Sequence, residues 1–445
     1  MNRRHFCATS IAGSLISAIR ASAKDQKKPR ILLRSSWQTI NIGDIAHSPG
    51  LLAILEKLLP KAEVTLWASY VDRGVKEMLL RRFPRLKITT AGGNRRTWNR
   101  IGEIHELFKE IDFFLHGSGP WLVSPRSVEE WIKQTGKPFG VYGISLPEER
   151  ADERIVSLLS QAQFTFFRDS MSLEVARSKG VNCPVMEFGP DGAFGFDILN
   201  EKKANQFVKD NQLENKKFLC MIPRYRKTPE WELPGREKPE SEWKHLHIRN
   251  QEMAEKDLKP YREAITSLIR QTSMKVLICP EDMTQIKLGK KFVYDRLPKD
   301  VQKRVVWKSE YWLTDEALST YLQSAGIFGL EQHSPIMCIG NGIPALLGRF
   351  REQTTKGFMW KDIGLSDWYF DSDSKFDMDR LTAAVLELAN DPQGCIERAK
   401  KAQSYVNSLN RKCVGQVRRN ITSKKVILRV FGKWMLIIIR LFLNQ

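Results

Sequence analysis

From residue 30 onward, apolar runs of strand length alternate with helical patterns. The runs "RILLRSS", "EVTLWAS", "LKITTA", "DFFLHGS", "PFGVYGISL" and "FTFFRD" are nearly continuous in Val, Ile, Leu and Phe, as strands buried on both faces are. Between them stand "VDRGVKEMLLRRF", "IGEIHELFKEI" and "ADERIVSLLSQA", whose apolar residues recur every three or four positions. This alternation predicts a parallel sheet with helices on both faces, and ligands of such sheets gather at the carboxyl ends of the strands. After "VMEFGPDGAF" and the helix "NEKKANQFVKDN" a second series follows: "KFLCMIPR", "MKVLICPE", "VVWKSE", "GIFGLE" and "IPALLGR". The fold class is therefore α/β, with two doubly wound, Rossmann-like domains facing a cleft. They span residues 29–200 and 201–419, and closing helices over about 376–419 cross back over the first domain. Residues 225–250, "YRKTPEWELPGREKPESEWKHLHIRN", are polar, Pro-rich and Trp-bearing. They read as a long loop, and a loop of that length in a compact domain is commonly functional.

Both ends fall outside this pattern. "MNRRHFCATSIAGSLISAIRASA" carries Arg3 and Arg4, a short, weakly apolar stretch and a small-residue "ASA" site. It reads as a twin-arginine export signal, so residues 1–28 are set aside from the fold. At the other end, residues 420–445 form a tail in which Lys425, Arg429, Lys433 and Arg440 fall on one helical face and apolar residues fill the rest. A cation strip opposite a broad apolar surface describes a helix lying in a membrane interface, so residues 424–443 are expected to bind an anionic membrane surface.

The chain has 445 residues, enough for two cored domains, and a formal net charge of +20. That charge attracts phosphates, acidic glycans and anionic lipid. Neither zinc-finger spacing nor an RNP-like aromatic pattern accompanies it, which argues against nucleic acid. The seven cysteines are scattered without CxxC spacing; Cys220, Cys279 and Cys338 sit in apolar runs as small hydrophobes.

Polar clusters sit at the ends of the predicted strands. "NIGDIAHSPGLL" places Asn41, Gly43 and Asp44 where a helix begins, with Asp44 or Ser48 able to cap it and Pro49 in its first turn. "HGSGP" brings His116 and Gly117, and "FFRDSMSLEVARSKG" brings Arg168 and Asp169, with Ser170 or Ser172 as a cap. In the second series "FLCMIPR" ends in Arg224, and "GLEQHSPIMCIGNGIPAL" places His333 after a buried strand. Glycine turns, cations and an imidazole at one rim suit phosphate or carboxylate binding with proton transfer.

These clusters, in this order, resemble the polysaccharide pyruvyl transferase family. "NIGD" is similar to the family's Asn-x-Gly-Asp, and "LHGSGP" stands where the family has its glycine-rich turn. "FFRDSMSLEVARSKG…MEFGPDGAF", with Asp191, resembles its Arg-Asp-x-x-Ser and Pro-Asp segments. "EQHSPIMCIGNGIPALL" resembles its His-centred segment, and "TKGFMWKDIGLSDW" its Lys-bearing stretch. The likeness runs over roughly residues 30–400. It implies a fold like that of two-domain glycosyltransferases of the GT-B kind. The implied reaction passes the enolpyruvyl group of phosphoenolpyruvate, the co-substrate, to hydroxyls of a cell-envelope polysaccharide or lipid-linked sugar, forming a ketal and releasing phosphate. No other cofactor and no metal is implied. Arg168, Arg224 and Lys356 would bind the donor, and His333 and Asp169 would be catalytic. Asn41, Gly43, Asp44, His116, Gly117 and Asp191 would shape the acceptor side and the cleft. Where the family usually has Arg two residues before its His, this chain has Glu331. At about 4 Å in a dielectric of about 20, that exchange turns roughly 4 kcal/mol of attraction for an anion into similar repulsion, unless Arg224 or another cation compensates. A nucleotide-sugar glycosyltransferase and a non-catalytic envelope glycan- or anion-binding protein share the same features. The expected location is the cell envelope after twin-arginine export, or the cytoplasmic face of the membrane, where phosphoenolpyruvate is made.

The leader reading generates a direct test. Residues 1–28 fused to a reporter are expected to carry it across the membrane, and replacing Arg3 and Arg4 by Lys to retain it. Cell fractionation that finds both forms in the cytoplasm contradicts the reading.

Overall fold

The computed structural model describes the backbone of residues 28–442 and the side chains of residues 28–421. The leader, residues 1–27, and the side chains of the cation-striped tail, residues 424–443, lie outside the described residues. Two sheets form the frame. The first contains β1 (Arg30–Arg34), β2 (Glu63–Trp67), β3 (Lys87–Thr89), β4 (Phe113–His116), β5 (Phe139–Ile144), β6 (Thr165–Phe167) and β7 (Met186–Phe188), in the order β3-β2-β1-β4-β5-β6-β7. The second contains β8 (Phe218–Ile222), β9 (Lys275–Ile278), β10 (Val305–Trp307), β11 (Gly326–Gly329), β12 (Ala345–Arg349) and β13 (Tyr369–Asp371), in the order β10-β9-β8-β11-β12-β13. Neighbouring strands pair in parallel, for example Ile31 opposite Val64 on one side and Phe113 on the other. In both sheets the chain starts in the middle, moves to one edge, and returns to build the other half. The reversal leaves a crevice at the carboxyl ends of β1 and β4, and of β8 and β11.

Alternation along the strands distributes the core. Ile31 and Leu33 face an apolar cluster that continues into the second sheet through Phe218, Leu219 and Ile327, whereas Leu32, Phe114 and Val141 face a separate layer with Trp131 and Phe108. The β7 and β13 segments were not anticipated, because three residues at a sheet edge carry too little periodicity to stand out.

Five helices position the site: α1 (Ile42–Leu58), α2 (Ser170–Ser178), α3 (Glu240–Gln271), α4 (His333–Gly340) and α5 (Pro392–Phe442). The cap of α1 is Asn41, whose side chain accepts from the amides of Gly43 and Asp44; neither Asp44 nor Ser48 caps it, and Pro49 lies inside the helix. Asn41 alone has the extended backbone a cap requires. For α2 the cap is Asp169, one residue before the predicted serines. Residues from Glu240 onward, read as loop from sequence, open the 32-residue α3: Glu240 and Glu242 in its first turn suit the amino end of a helix, and Trp243 stacks on Trp231. The long α5 returns to the first sheet, where Asn410 accepts from the Tyr142 hydroxyl at 2.6 Å and Lys412 pairs with Glu187. Among the described residues no helix is long and apolar enough to cross a membrane.

The two halves join at the amino end of α1. The Ile42 amide donates to the Glu281 carbonyl at 2.9 Å, and Asn41 bridges Asp282 in an antiparallel contact. Gly43 lies directly against α4: a Cβ there would fall 2.4 Å from the Cβ of His333 and 2.6 Å from a Glu281 oxygen. Gly43→Ala is therefore expected to cost roughly 1–3 kcal/mol through overpacking. Chemical unfolding measures this, and a variant as stable as the parent contradicts so close a contact.

Candidate active site

A cavity of about 490 Å³ opens between the carboxyl ends of the two sheets. The first sheet contributes Ser145, after β5, and Arg168, after β6; the second contributes Arg224, after β8, and Lys356, after β12. Its outer wall holds Trp121, Trp231 and Trp243, with the Arg150 guanidinium over the Trp121 ring. A second cavity, about 510 Å³, lies among Arg30, Glu63 and Lys87 at the amino ends of the first sheet's strands. Ligands of parallel sheets do not gather at that end, and no set of catalytic side chains converges there.

Arg168 is fully buried and holds the inner wall together. Its Nη1 donates to Asp191 at 2.6 Å and its Nε to Ser145 at 2.9 Å, while Nη2 is buried without a partner among the described residues. Burial pushes the Asp191 carboxyl up, but His47 and Arg168 more than offset this and hold it well below the usual range. Arg168 pairs with Asp191 and not with its sequence neighbour Asp169. Asp169 is likewise enclosed: one oxygen accepts from the Ser172 amide at 2.7 Å and the other from the Ser145 hydroxyl at 2.8 Å. It therefore positions Ser145 and α2 instead of meeting a substrate, which corrects its expected catalytic place.

On the facing wall Arg224 donates through Nη1 to Glu331, and through Nη2 to Thr228 at 3.0 Å. Glu331, 2% exposed, also accepts from Gln285 at 2.6 Å. The cation paired with Glu331 is thus Arg224. Nearby Asp282 is pushed up to about 6, first by burial and then by Glu331. Lys356 makes no side-chain hydrogen bond or ion pair within the described residues. Burial, and then the charge of Arg224, lower its pKa. Arg226, also in the basic loop, is occupied by Asp257, Glu352 and Asp373 and braces α3.

His333, the first residue of α4, sits behind this cavity and not on its wall. Its Nδ1 lies 3.3 Å from Glu281, whose other oxygen accepts from the Ser334 amide at 2.7 Å. Burial and then His47 push His333 down to about 3, so the ring is neutral near pH 7. His47 was not singled out from the sequence, yet it is fully buried against His333, ring centroids 4.7 Å apart and nearly perpendicular. Its Nδ1 donates to Asp191 at 2.9 Å and lies 2.7 Å from Ser118. The available signal was spacing: Asp44 and His47 lie three apart, on one face of α1. His116 is wholly buried under the first sheet's edge of the crevice, with Nδ1 on the Gly117 carbonyl at 2.8 Å. Gly117 packs on Ser35. Neither reaches the cavity, a correction to their expected place on the cleft wall.

The sequence model of the polysaccharide pyruvyl transferase family matches residues 41–347. The chain belongs to this family. No curated protein matches it significantly. Among solved structures it is similar to the UDP-GlcNAc 2-epimerase of Neisseria meningitidis bound to UDP-GlcNAc, with a TM-score of 0.54 and 11% identity over 88% of this chain and 100% of that one. The UDP-GlcNAc 2-epimerase of Methanocaldococcus jannaschii is similar to the same degree, with a TM-score of 0.54 and 12% identity over 86% and 99%. These likenesses concern the fold, two parallel α/β sheets of the GT-B kind. Arg168 and Arg224, inside the matched residues, and Lys356, beyond them, come together at one cavity.

His116 generates a pH prediction. Burial, helped by Arg34 and His47, pushes its pKa down to about 3, against 6.5 for the free side chain. Below pH 6.5 the unfolded chain takes a proton that the native chain refuses, so this contribution is complete above 6.5 and is lost as pH falls. Between pH 7 and 5, denaturant unfolding is expected to show an acid-induced loss about 2 kcal/mol smaller in His116→Phe than in the parent. Equal losses contradict a neutral buried imidazole.

Proposed function

We propose that this transferase takes phosphoenolpyruvate in the cavity between the sheets and passes its enolpyruvyl carbon to a sugar of an envelope polysaccharide or lipid-linked glycan. The observation that carries the reading is the convergence of Arg168, Arg224 and Lys356 from opposite sheets on one open cleft, with Arg168 Nη2 and Arg224 Nε buried and unpartnered among the described residues. Phosphate and carboxylate groups satisfy such nitrogens by charge-assisted hydrogen bonds. The Trp231 and Trp243 rings, stacked 5.4 Å apart at the mouth, offer flat apolar faces to a pyranose.

In the reaction the methylene carbon of the donor takes a proton and becomes a methyl group, and the adjacent carbon accepts two sugar oxygens in turn. Its bond to the phosphate oxygen breaks and phosphate leaves. Of the two hydroxyl protons, one balances the methyl group and the other departs with phosphate. Lys356 is the wall's proton donor with increased acidity, and we assign it the transfer to carbon as well as support of the phosphate. Arg168 and Arg224 neutralise charge that moves onto the leaving group.

The Arg224–Glu331 pair favours a second reading, a glycan- or anion-binding protein that has lost turnover, because a carboxylate already occupies part of the donor's cation. Phosphate release from phosphoenolpyruvate with a panel of acceptor glycans separates the two, and a parallel set of UDP-sugars tests the glycosyltransferase alternative. Glu331→Gln is expected to lower the donor KM several-fold by freeing Arg224. Lys356→Arg is expected to keep the donor KM within a few-fold and to lower kcat at least a hundredfold. Wild-type protein that binds donor and acceptor yet releases no phosphate supports the binding-protein reading instead.

A further inference from the structure

We propose that Asp44, His47 and His333 form a binding site for one divalent transition-metal ion of zinc-like chemistry. The site does not rest on the pyruvyl-transfer reading. Asp44, His47 and His333 each offer one ligand atom, a carboxylate oxygen or an imidazole nitrogen, and these atoms all lie within 4.8 Å of one another. Both Nε2 atoms are buried and have no hydrogen-bond partner among the described residues. From His47 Nε2 to the nearer Asp44 oxygen is 3.9 Å, too long for a hydrogen bond.

The surroundings are arranged as they are around metal-bound imidazoles. Each ring has its Nδ1 beside a buried carboxylate, Asp191 at 2.9 Å for His47 and Glu281 at 3.3 Å for His333. A carboxylate only accepts, so the proton stays on Nδ1 and each Nε2 keeps a free lone pair, that of His47 on the atom nearest Asp44. That is the carboxylate–histidine–metal arrangement, in which the outer acid fixes the tautomer and raises ligand basicity. The Asp44 carboxylate is steadied by Gln38 on its other oxygen and remains partly open, leaving a path for an ion.

Charge points the same way. Asp44, Asp191 and Glu281 lie around the pocket, and of these three Arg168 is bound to Asp191. With Arg168 offsetting one of the three carboxylates, two negative charges remain in excess, more than the partial positive charge at the amino ends of α1 and α4. Two imidazoles and one carboxylate suit a borderline ion such as Zn²⁺ or Co²⁺ and not Mg²⁺ or Ca²⁺, which take oxygen ligands. Bonds of about 2 Å need ligand atoms about 3 Å apart, so binding draws the three together by roughly 1 Å. Three protein ligands leave a coordination position open, and the site is two hydrogen bonds from the cavity, His47 to Asp191 and Asp191 to Arg168.

The test uses the full chain without an affinity tag, stripped with chelator and titrated with Co²⁺ alone. One equivalent is expected to bind with a visible d–d band, to be displaced by Zn²⁺, and to be unaffected by about a hundredfold excess of Mg²⁺. Asp44→Asn, at the partly open edge of the site, is expected to fold and to weaken Co²⁺ binding at least tenfold. His47→Gln is expected to abolish the band, and circular dichroism checks that it folds. Binding below about a tenth of an equivalent overturns the site, as does an affinity unchanged by Asp44→Asn.

Discussion

The architecture turns on the contact between the amino ends of α1 and α4, where Gly43 touches His333. With no side chain at Gly43 the helices approach closely enough for the Ile42 amide to reach the Glu281 carbonyl and for Asn41 to bridge Asp282. Each sheet then turns its carboxyl edge toward the other, and the side chains that follow β5, β6, β8 and β12 face one space. A larger residue at 43 would force the halves apart at a point where they share buried polar groups. The Asn-x-Gly-Asp turn is therefore a joint, and its glycine is fixed by contact more than by backbone angle.

Around that joint the buried charges are tied in chains. Arg168, Asp191 and His47 run through the first half, and Arg224, Glu331 and Gln285 through the second. An unpaired charge in either place would cost several kcal/mol, so each chain resists the loss of any member. Buried nitrogens without a partner among the described residues lie beside both chains: Arg168 Nη2 and Arg224 Nε near the cavity, and the Nε2 atoms of His47 and the neighbouring His333 behind it. Those loose ends mark where the molecule has capacity left for an anion on one side and a cation on the other.

Much of this was legible in the sequence. Continuous apolar runs identified most strands, because a strand covered on both faces admits few polar residues; Arg168 and Arg224 could be named because each follows such a run, and Lys356 through the family resemblance. What escaped had physical reasons. Asn41 and Asp169 cap helices that nearby serines could equally have capped, and only the backbone conformation decides. The opening of α3 hides behind prolines and charge. His333 stands at a strand end like a cleft residue, yet its burial depends on His47, and the two are 286 positions apart, a proximity no local pattern encodes.

The central claim is that the three-cation cavity between the sheets is a phosphoenolpyruvate site, and titration calorimetry tests it most directly. The account predicts saturable binding of one phosphoenolpyruvate per chain, weakened at least tenfold in Arg168→Gln while inorganic chloride at matched ionic strength does not compete. Heat from a UDP-sugar with none from phosphoenolpyruvate, or phosphoenolpyruvate binding indifferent to Arg168→Gln, would contradict it.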